Sequence, residues 1–205
     1  MSVTALVNPK LIFSRSAILT KPCPVPQEPG AYAWFFRDVP SIVPTNGCVT
    51  KDGLTLLYVG ISPDKVGKPN SKQNLRKRIT NHYRGNAEGS TLRRSLGVLL
   101  TRESDFSLRR VGSGTRMTFT HLGEQWLDDW MEANAFVCWV QHSAPWELEE
   151  EILSGLSIPL NIKGNREHPF AEELSQLRKE AKRQAQELSV ANESNQQRRM
   201  PSDTF

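Results

Sequence analysis

Apolar residues form two short runs in the first third of the chain. The run at 31–36 is aromatic, and the run at 54–59 is mostly aliphatic. Short apolar runs bounded by glycine and proline are typical of β-strands. The segment between them carries two prolines and the turn dipeptides Asn46-Gly47 and Asp52-Gly53, which favours an antiparallel hairpin with insertions.

Apolar positions three and four residues apart then predict a series of helices. They are a helix over 72–83 with Ser71 as a candidate N-cap, a helix over 90–100, one that begins at Thr118 or Thr120, one capped by Ser143, and an amphipathic helix after Pro169. The run at 136–140 has no polar residue, as expected of a buried strand, and it should pair with the first two strands. These elements predict an α+β fold.

Prolines and polar residues suggest the limits of the folded part. Residues 1–29 contain five prolines and little periodicity, which predicts an irregular, loosely attached N-terminal arm. The main domain is expected at 30–165 and the amphipathic helix at 166–190. Residues 191–205 have the polar composition of a disordered tail.

Composition narrows the class of protein. The chain has 205 residues and a net charge of +4, so it can form one ordinary domain, and its basic charge suits a polyanionic partner without requiring one. Its three cysteines are widely spaced, which argues against a disulfide framework or a cysteine-rich zinc site. No apolar run approaches the ~20 residues of a membrane span, and no signal peptide is recognisable. A cytoplasmic protein with no membrane association is expected.

One arginine occupies an unusual position on the helix predicted at 72–83. Leu75, Ile79 and His82 form its inward stripe. Arg78 lies beside that stripe, whereas the two cations before it point further towards solvent. A guanidinium at the boundary of the core is a candidate functional group.

A similar argument selects one carboxylate from the helix that follows Pro145. Four glutamates crowd this helix, and only Glu149 falls within its apolar face. Glu147, Glu150 and Glu151 point away from that face. An inward carboxylate requires a partner or a function.

Five short segments, in order, resemble the GIY-YIG nuclease family. They are Gly30-Ala31-Tyr32, Tyr58-Val59-Gly60, Leu75 to Ile79 with His82, Leu148-Glu149, and Pro159-Leu160-Asn161. The resemblance covers 30–161. It implies a small three-stranded antiparallel sheet flanked by helices, with extra helices and a polar C-terminal tail in this chain. It also implies phosphodiester hydrolysis with a divalent metal held by one glutamate.

The resemblance assigns roles to particular residues. The implied catalytic residues are Tyr32, Tyr58, Arg78, His82 and Glu149. Glu149 is also the implied ligand of Mg²⁺ or Mn²⁺. The residues expected to contact nucleic acid are Gly60, Arg76, Lys77, Arg93, Arg94 and Asn161, although surface cations such as Arg93 and Arg94 are as often merely solvated.

The residue types agree with this chemistry. A guanidinium and a hard metal ion both stabilise the charge that develops on a phosphodiester under attack. Tyr32 is the favoured general base, with Tyr58 and His82 as alternatives. The segment between the two tyrosines is longer than in typical members of the family, which leaves substrate recognition open.

The predicted function is a metal-dependent endonuclease acting on nucleic acid, with DNA as the expected substrate. One alternative is a catalytically inactive nucleic-acid-binding module with the same fold. Another is a protein unrelated to nucleic acid whose tyrosines are only core residues. The sequence leaves the oligomeric state open.

Overall fold

A four-stranded antiparallel sheet lies at the centre of the computed structural model, which describes residues 3–63 and 72–199. The strands in chain order are β1 (Gly30–Phe36), β2 (Thr50–Lys51), β3 (Leu54–Ser62), β4 (Arg109–Val111), β5 (Arg116–Thr118) and β6 (Ala135–Gln141). The sheet has the order β2-β3-β1-β6, and β4 and β5 form a separate two-stranded ribbon. The expected strands are thus present, but of the first two only β1 pairs with β6.

The expectation of a three-stranded sheet is wrong by one strand, β2. This strand pairs with β3 through Thr50 and Lys51. The intervening Asp52 and Gly53 both have positive φ, 51° and 76°, as a tight two-residue hairpin requires. The Asp-Gly signal was visible in the sequence, whereas a strand of two residues has no detectable hydrophobic period.

Helices cover both faces of the sheet. They are α1 (Val3–Val7), α2 (Arg15–Ile18), α3 (Leu75–Arg84), α4 (Thr91–Leu99), α5 (Thr101–Ser104), α6 (Thr120–Asn134), α7 (Pro145–Gly155) and α8 (Pro169–Glu187). In the described part of the chain, none of them combines the length and the apolar character needed to span a membrane.

The helix caps agree only in part with those predicted from the sequence. Ser90 caps α4 as its side chain accepts from the backbone N–H of Arg93. The first turn of α3 is capped by Asn74, and the candidate cap Ser71 lies outside the described residues. The predicted cap Ser143 is wrong, because α7 begins after Ala144 without a side-chain cap.

Strand β1 divides the core into two layers because it is buried along its whole length. Tyr32, Trp34 and Phe36 face a large cluster that includes residues of α3, α4, α6 and α8. Ala31, Ala33 and Phe35 face a smaller cluster against α1 and α7. The side chain of Tyr32 therefore points towards α3.

The N-terminal segment is more ordered than the arm predicted at 1–29. It contains α1 and α2, and Phe13 bridges to Val137 at the free edge of β6. Leu6 and Ile18 are completely buried. Single anchoring residues separated by prolines do not produce a periodic pattern, which is why the sequence predicted a loose arm.

The C-terminal segment also makes specific contacts, at least over the described residues 191–199. The backbone N–H of Ala191 donates to Arg110 on β4 at 2.8 Å. Arg198 forms an ion pair with Asp128 of α6 at 2.7 Å. The prediction of a disordered tail does not hold for this stretch, and 200–205 lie outside the described residues.

Candidate active site

Four residues that the sequence singled out converge on one pocket of about 180 Å³. Tyr32 comes from β1, Tyr58 from β3, Arg78 from α3 and Glu149 from α7, and all four line this active-site pocket. Arg78 and Glu149 are both half-buried, whereas the other glutamates of α7 are exposed. The helical positions inferred from the sequence are therefore correct for both residues.

A hydrogen-bonded chain lies behind the pocket wall. The hydroxyl of Tyr32 is 2.9 Å from Nε2 of His82 and accepts from Nε of Arg78 at 3.4 Å. On the other side of the imidazole, Nδ1 lies 2.7 Å from Oγ of Ser90. Arg93 donates its backbone N–H to the same Ser90 oxygen. Tyr32, His82 and Ser90 thus form a buried relay.

Burial determines the protonation states in this relay. It raises the pKa of Tyr32 well above its usual value, and Tyr58 adds to the rise while Arg78 opposes it. Burial also lowers the pKa of His82 well below its usual value, with further lowering by Arg78 and Arg93. At neutral pH, Tyr32 is therefore a phenol and His82 a neutral imidazole. Either tautomer of this imidazole satisfies the chain, which allows a proton to move along it.

Gly60 allows the ring of Tyr32 to lie across the neighbouring strand. The two residues are paired in register, and a β-carbon at Gly60 would come within 2.6 Å of Cζ of Tyr32. Any side chain there would displace the tyrosine. The sequence predicted a close approach to substrate, whereas the structure shows a close approach to a residue of the site.

Asn161 forms two hydrogen bonds with the backbone of β3, the strand that carries Tyr58. Its Oδ1 accepts from the backbone N–H of Val59 and its Nδ2 donates to the carbonyl of the same residue, both at 2.9 Å. The side chain is buried. Asn161 was predicted to contact nucleic acid, but its amide is committed to the backbone between Tyr58 and Gly60, so it has a positioning role.

The predicted contact of Arg93 with nucleic acid is wrong because its side chain is completely buried. The guanidinium pairs with Glu124 at 2.7 Å and with Asp128 at 2.8 Å, both on α6. It also donates to the carbonyls of His82 and Tyr83. These partners could not be identified from the sequence because they lie more than thirty residues from Arg93 along the chain.

The other predicted nucleic-acid contacts differ in their accessibility. Arg76 donates from Nε to the carbonyl of Val25 at 2.6 Å and so helps to hold the N-terminal segment. Lys77 is exposed and lines a neighbouring pocket together with Arg78. Arg94 is half-buried and lines a second neighbouring pocket. Lys77 and Arg94 thus remain candidates for contact with a substrate.

Sequence reasoning missed one prominent residue of the site, Arg178 of α8, which lines the active-site pocket. A usable signal was present. Arg178 lies four residues after the buried Leu174, so both project from the same side of the helix. The same test that selected Arg78 and Glu149 would have selected it.

The pocket offers few metal ligands. Glu149 is the one carboxylate among the described residues that line it. Within 3–63 and 72–199, no three histidine, cysteine, aspartate or glutamate side chains cluster closely enough to hold a metal ion. Any cation here would depend on Glu149, water and substrate.

The fold and the pocket define a small α+β domain in which two tyrosines of an antiparallel sheet face an arginine and a glutamate from flanking helices. The model of the family described as GIY-YIG catalytic domain matches residues 30–180, and the chain belongs to this family. Family members are nucleases, which hydrolyse nucleic acid. The resemblance seen in the sequence is thus confirmed, and the match extends beyond Asn161 to include Arg178. Neither the curated proteins nor the solved structures include a significant match to the chain.

Proposed function

We propose that this protein is a metal-dependent endonuclease that hydrolyses phosphodiester bonds in DNA. The observation that carries the proposal is the convergence of Tyr32, Tyr58, Arg78 and Glu149 on one pocket. These residues come from four different elements. Structural roles alone would not require the four to face a common space.

Arg78 is the electrostatic component of the proposed site. Its side chain lines the pocket and donates from Nε to the hydroxyl of Tyr32 at 3.4 Å. From this position it can bind a non-bridging phosphate oxygen and stabilise the charge that grows there during attack. Tyr58, on the pocket wall, can orient the same phosphate through its hydroxyl.

Tyr32 is the proposed base, acting with His82. The raised pKa of Tyr32 means that its phenolate is not populated before the reaction. Tyr32 would therefore pass its own proton to Nε2 of His82 as it takes one from the attacking water. His82 is neutral and has a ring nitrogen next to the Tyr32 hydroxyl for this proton, while burial, Arg78 and Arg93 lower its pKa and so favour rapid release of the proton afterwards.

The donor set of the pocket fits Mg²⁺ or Mn²⁺ with Glu149 as its protein ligand. Glu149 projects into the pocket from α7 and is half-buried there. Mg²⁺ is commonly held by one or two carboxylates, with water and substrate phosphate as the remaining ligands. When bound, such an ion would supply Lewis-acid stabilisation of the phosphate.

The test is cleavage of supercoiled plasmid DNA with Mg²⁺ or Mn²⁺, using Glu149→Gln and Glu150→Gln as matched variants. We expect Glu149→Gln to lower the rate at least 100-fold. Glu150 is exposed on the same helix, so its variant should retain the wild-type rate. Cleavage by Glu149→Gln at the wild-type rate would refute the proposal. A parallel assay with labelled RNA tests the preference for DNA.

The alternative function is nucleic-acid binding without cleavage. It is favoured by the single carboxylate among the described pocket residues and by the protonated state of Tyr32. It predicts salt-sensitive binding, no cleavage with either metal, and unchanged binding in Glu149→Gln.

A further inference from the structure

A second, strongly basic pocket adjoins the active-site pocket. Its volume is about 370 Å³, and it shares Ile162 and Arg178 with the active-site pocket. Four of its lining residues are cations and one is a carboxylate: Arg94, Arg178, Lys179, Lys182 and Glu88. We refer to it as the basic pocket. Three of the cations come from α8, a helix that the proposed chemistry does not otherwise use.

Arg178 stands at the junction of the two pockets without a compensating charge. Among the described residues, none forms a hydrogen bond or an ion pair with its side chain. Burial lowers its pKa, the neighbouring Arg94 lowers it further, and Tyr58 opposes the shift. On the same helix, Arg183 is paired with both Glu180 and Glu187. A half-buried guanidinium beside another cation is unfavourable in the free protein.

We propose that Arg178 binds the phosphate next to the one that occupies the active-site pocket, and that the basic pocket holds the adjoining sugar–phosphate backbone of the nucleic acid. This deepens the proposed function, since it assumes that the active-site pocket receives a nucleic-acid strand. A bound phosphate would supply the anion that Arg178 lacks, and a guanidinium can contact it through two hydrogen bonds.

The arrangement suits a continuous phosphate chain better than a single anion. Arg178 faces both pockets, and Lys179 and Lys182 lie on the part of α8 that lines only the basic pocket. Lys179 and Lys182 are exposed. Glu88 is already engaged, because it accepts from the backbone N–H of Met117 at 2.9 Å and pairs with Arg94. A strand leaving the active-site pocket here would meet successive cations.

The test measures binding of a short fluorescein-labelled DNA duplex in EDTA over a series of KCl concentrations. The variants are Arg178→Met, which keeps an aliphatic stem, and Arg183→Met as the matched control on α8. We expect Arg178→Met to weaken binding about tenfold at 0.1 M KCl. It should also reduce the slope of log K against log salt by about 1, the effect of one lost phosphate contact. Arg183→Met should leave affinity and slope unchanged.

Thermal unfolding separates this role from a structural one. Arg178→Met should unfold at the same temperature as the wild type or higher, because it removes an uncompensated charge. A structural arginine would give a lower temperature. If Arg178→Met does not fold, the role is structural and the proposal is wrong. Arg178→Gln provides a second variant, with the same expected loss of affinity.

Several outcomes would overturn the proposal. They are unchanged affinity and slope in Arg178→Met, an equal loss in Arg183→Met, and no binding of DNA by the wild type at low salt. The endonuclease proposal can be refuted separately from the proposal for Arg178. If the wild type binds DNA through Arg178 but does not cleave it, the endonuclease proposal is refuted and this one stands. If the wild type cleaves DNA and Arg178→Met binds it normally, the endonuclease proposal stands and the proposal for Arg178 is refuted.

Discussion

Tyr32 and Tyr83 are both buried, but their hydroxyl groups have different partners. The hydroxyl of Tyr32 contacts His82 and Arg78 at the pocket. The hydroxyl of Tyr83 donates to the carbonyl of Ala135 at 2.8 Å, away from the pocket. Because both rings are buried, the two residues form a matched pair for separating catalysis from stability.

Replacing Tyr32 with phenylalanine should abolish most cleavage while leaving the fold intact. The variant keeps the ring but loses the proposed proton acceptor, and general base catalysis typically contributes 10²- to 10⁴-fold. We expect a rate at least ~100-fold lower in a plasmid assay. Tyr83→Phe should lose about 1 to 3 kcal/mol of stability with an unchanged rate. Equal rates for Tyr32→Phe and wild type would contradict the role of Tyr32.

His82 should make the protein less stable in mild acid. Burial lowers its pKa in the folded state, so below about pH 6.5 the unfolded chain binds a proton that the folded chain does not. The stabilisation is complete above that pH and is lost as the pH falls towards the folded pKa, by up to ~1.4 kcal/mol per pH unit.

Urea unfolding at pH 7 and pH 5 measures this effect. The loss of stability between the two pH values should be smaller in His82→Gln than in the wild type. His121→Gln alters an exposed histidine and should leave the loss in place. An undiminished loss in His82→Gln would show that His82 is not the group responsible.

At the scale of elements, the segment after α7 forms hydrogen bonds with backbone groups of β3 that β2 does not reach. Strand β2 pairs only with Leu54 and Thr55. Beyond it, Leu160 donates to the carbonyl of Leu57 at 2.9 Å, and Asn161 satisfies both backbone groups of Val59. The edge of β3 next to the active-site pocket is thereby closed.

Asn161→Ala should therefore destabilise the protein by about 2 to 4 kcal/mol, since two buried backbone groups lose their partners. Chemical denaturation provides the measurement. Asn192→Ala, at an exposed position, should change stability by less than ~0.5 kcal/mol. A similarly small effect of Asn161→Ala would show that water replaces its amide.

Elements with a regular period were predictable, and so were residues whose position on a helix is fixed by that period. Arg78 and Glu149 are examples, and Arg178 was within reach of the same reasoning. Strand β2 and helix α1 were not predictable because they are too short for a period. The burial of Arg93 was not predictable either, because it depends on acidic residues that only the fold brings near.

At the scale of the whole molecule, one carboxylate connects distant parts of the chain. Asp128 of α6 pairs with Arg15 at 3.2 Å, Arg93 at 2.8 Å and Arg198 at 2.7 Å. Arg93 in turn contacts the carbonyls of His82 and Tyr83 near the end of α3. The helix that presents Arg78 is thus linked to both terminal segments.

Asp128→Asn should cost about 3 to 5 kcal/mol, because it leaves several largely buried guanidinium groups without their shared anion. The measurement is the free energy of unfolding in urea. Asp129→Asn is the matched control, since Asp129 is the exposed neighbour on the same helix. Equal stabilities of the two variants would mean that Glu124 and solvent compensate fully for the lost charge.

Because Arg15 and Arg198 reach the same carboxylate, the segments near the two ends of the described chain pass the same point on α6. Because α1 precedes Arg15 and packs in the other layer of the core, a linker would have to run from the segment after Arg198 to α1, and new ends could be opened in the exposed turn at 112–113 between β4 and β5. Such a circular permutant would keep every contact of Asp128 and every residue of the active-site pocket. The contacts at α6 and in the sheet, rather than the order of the segments along the chain, would then determine the fold.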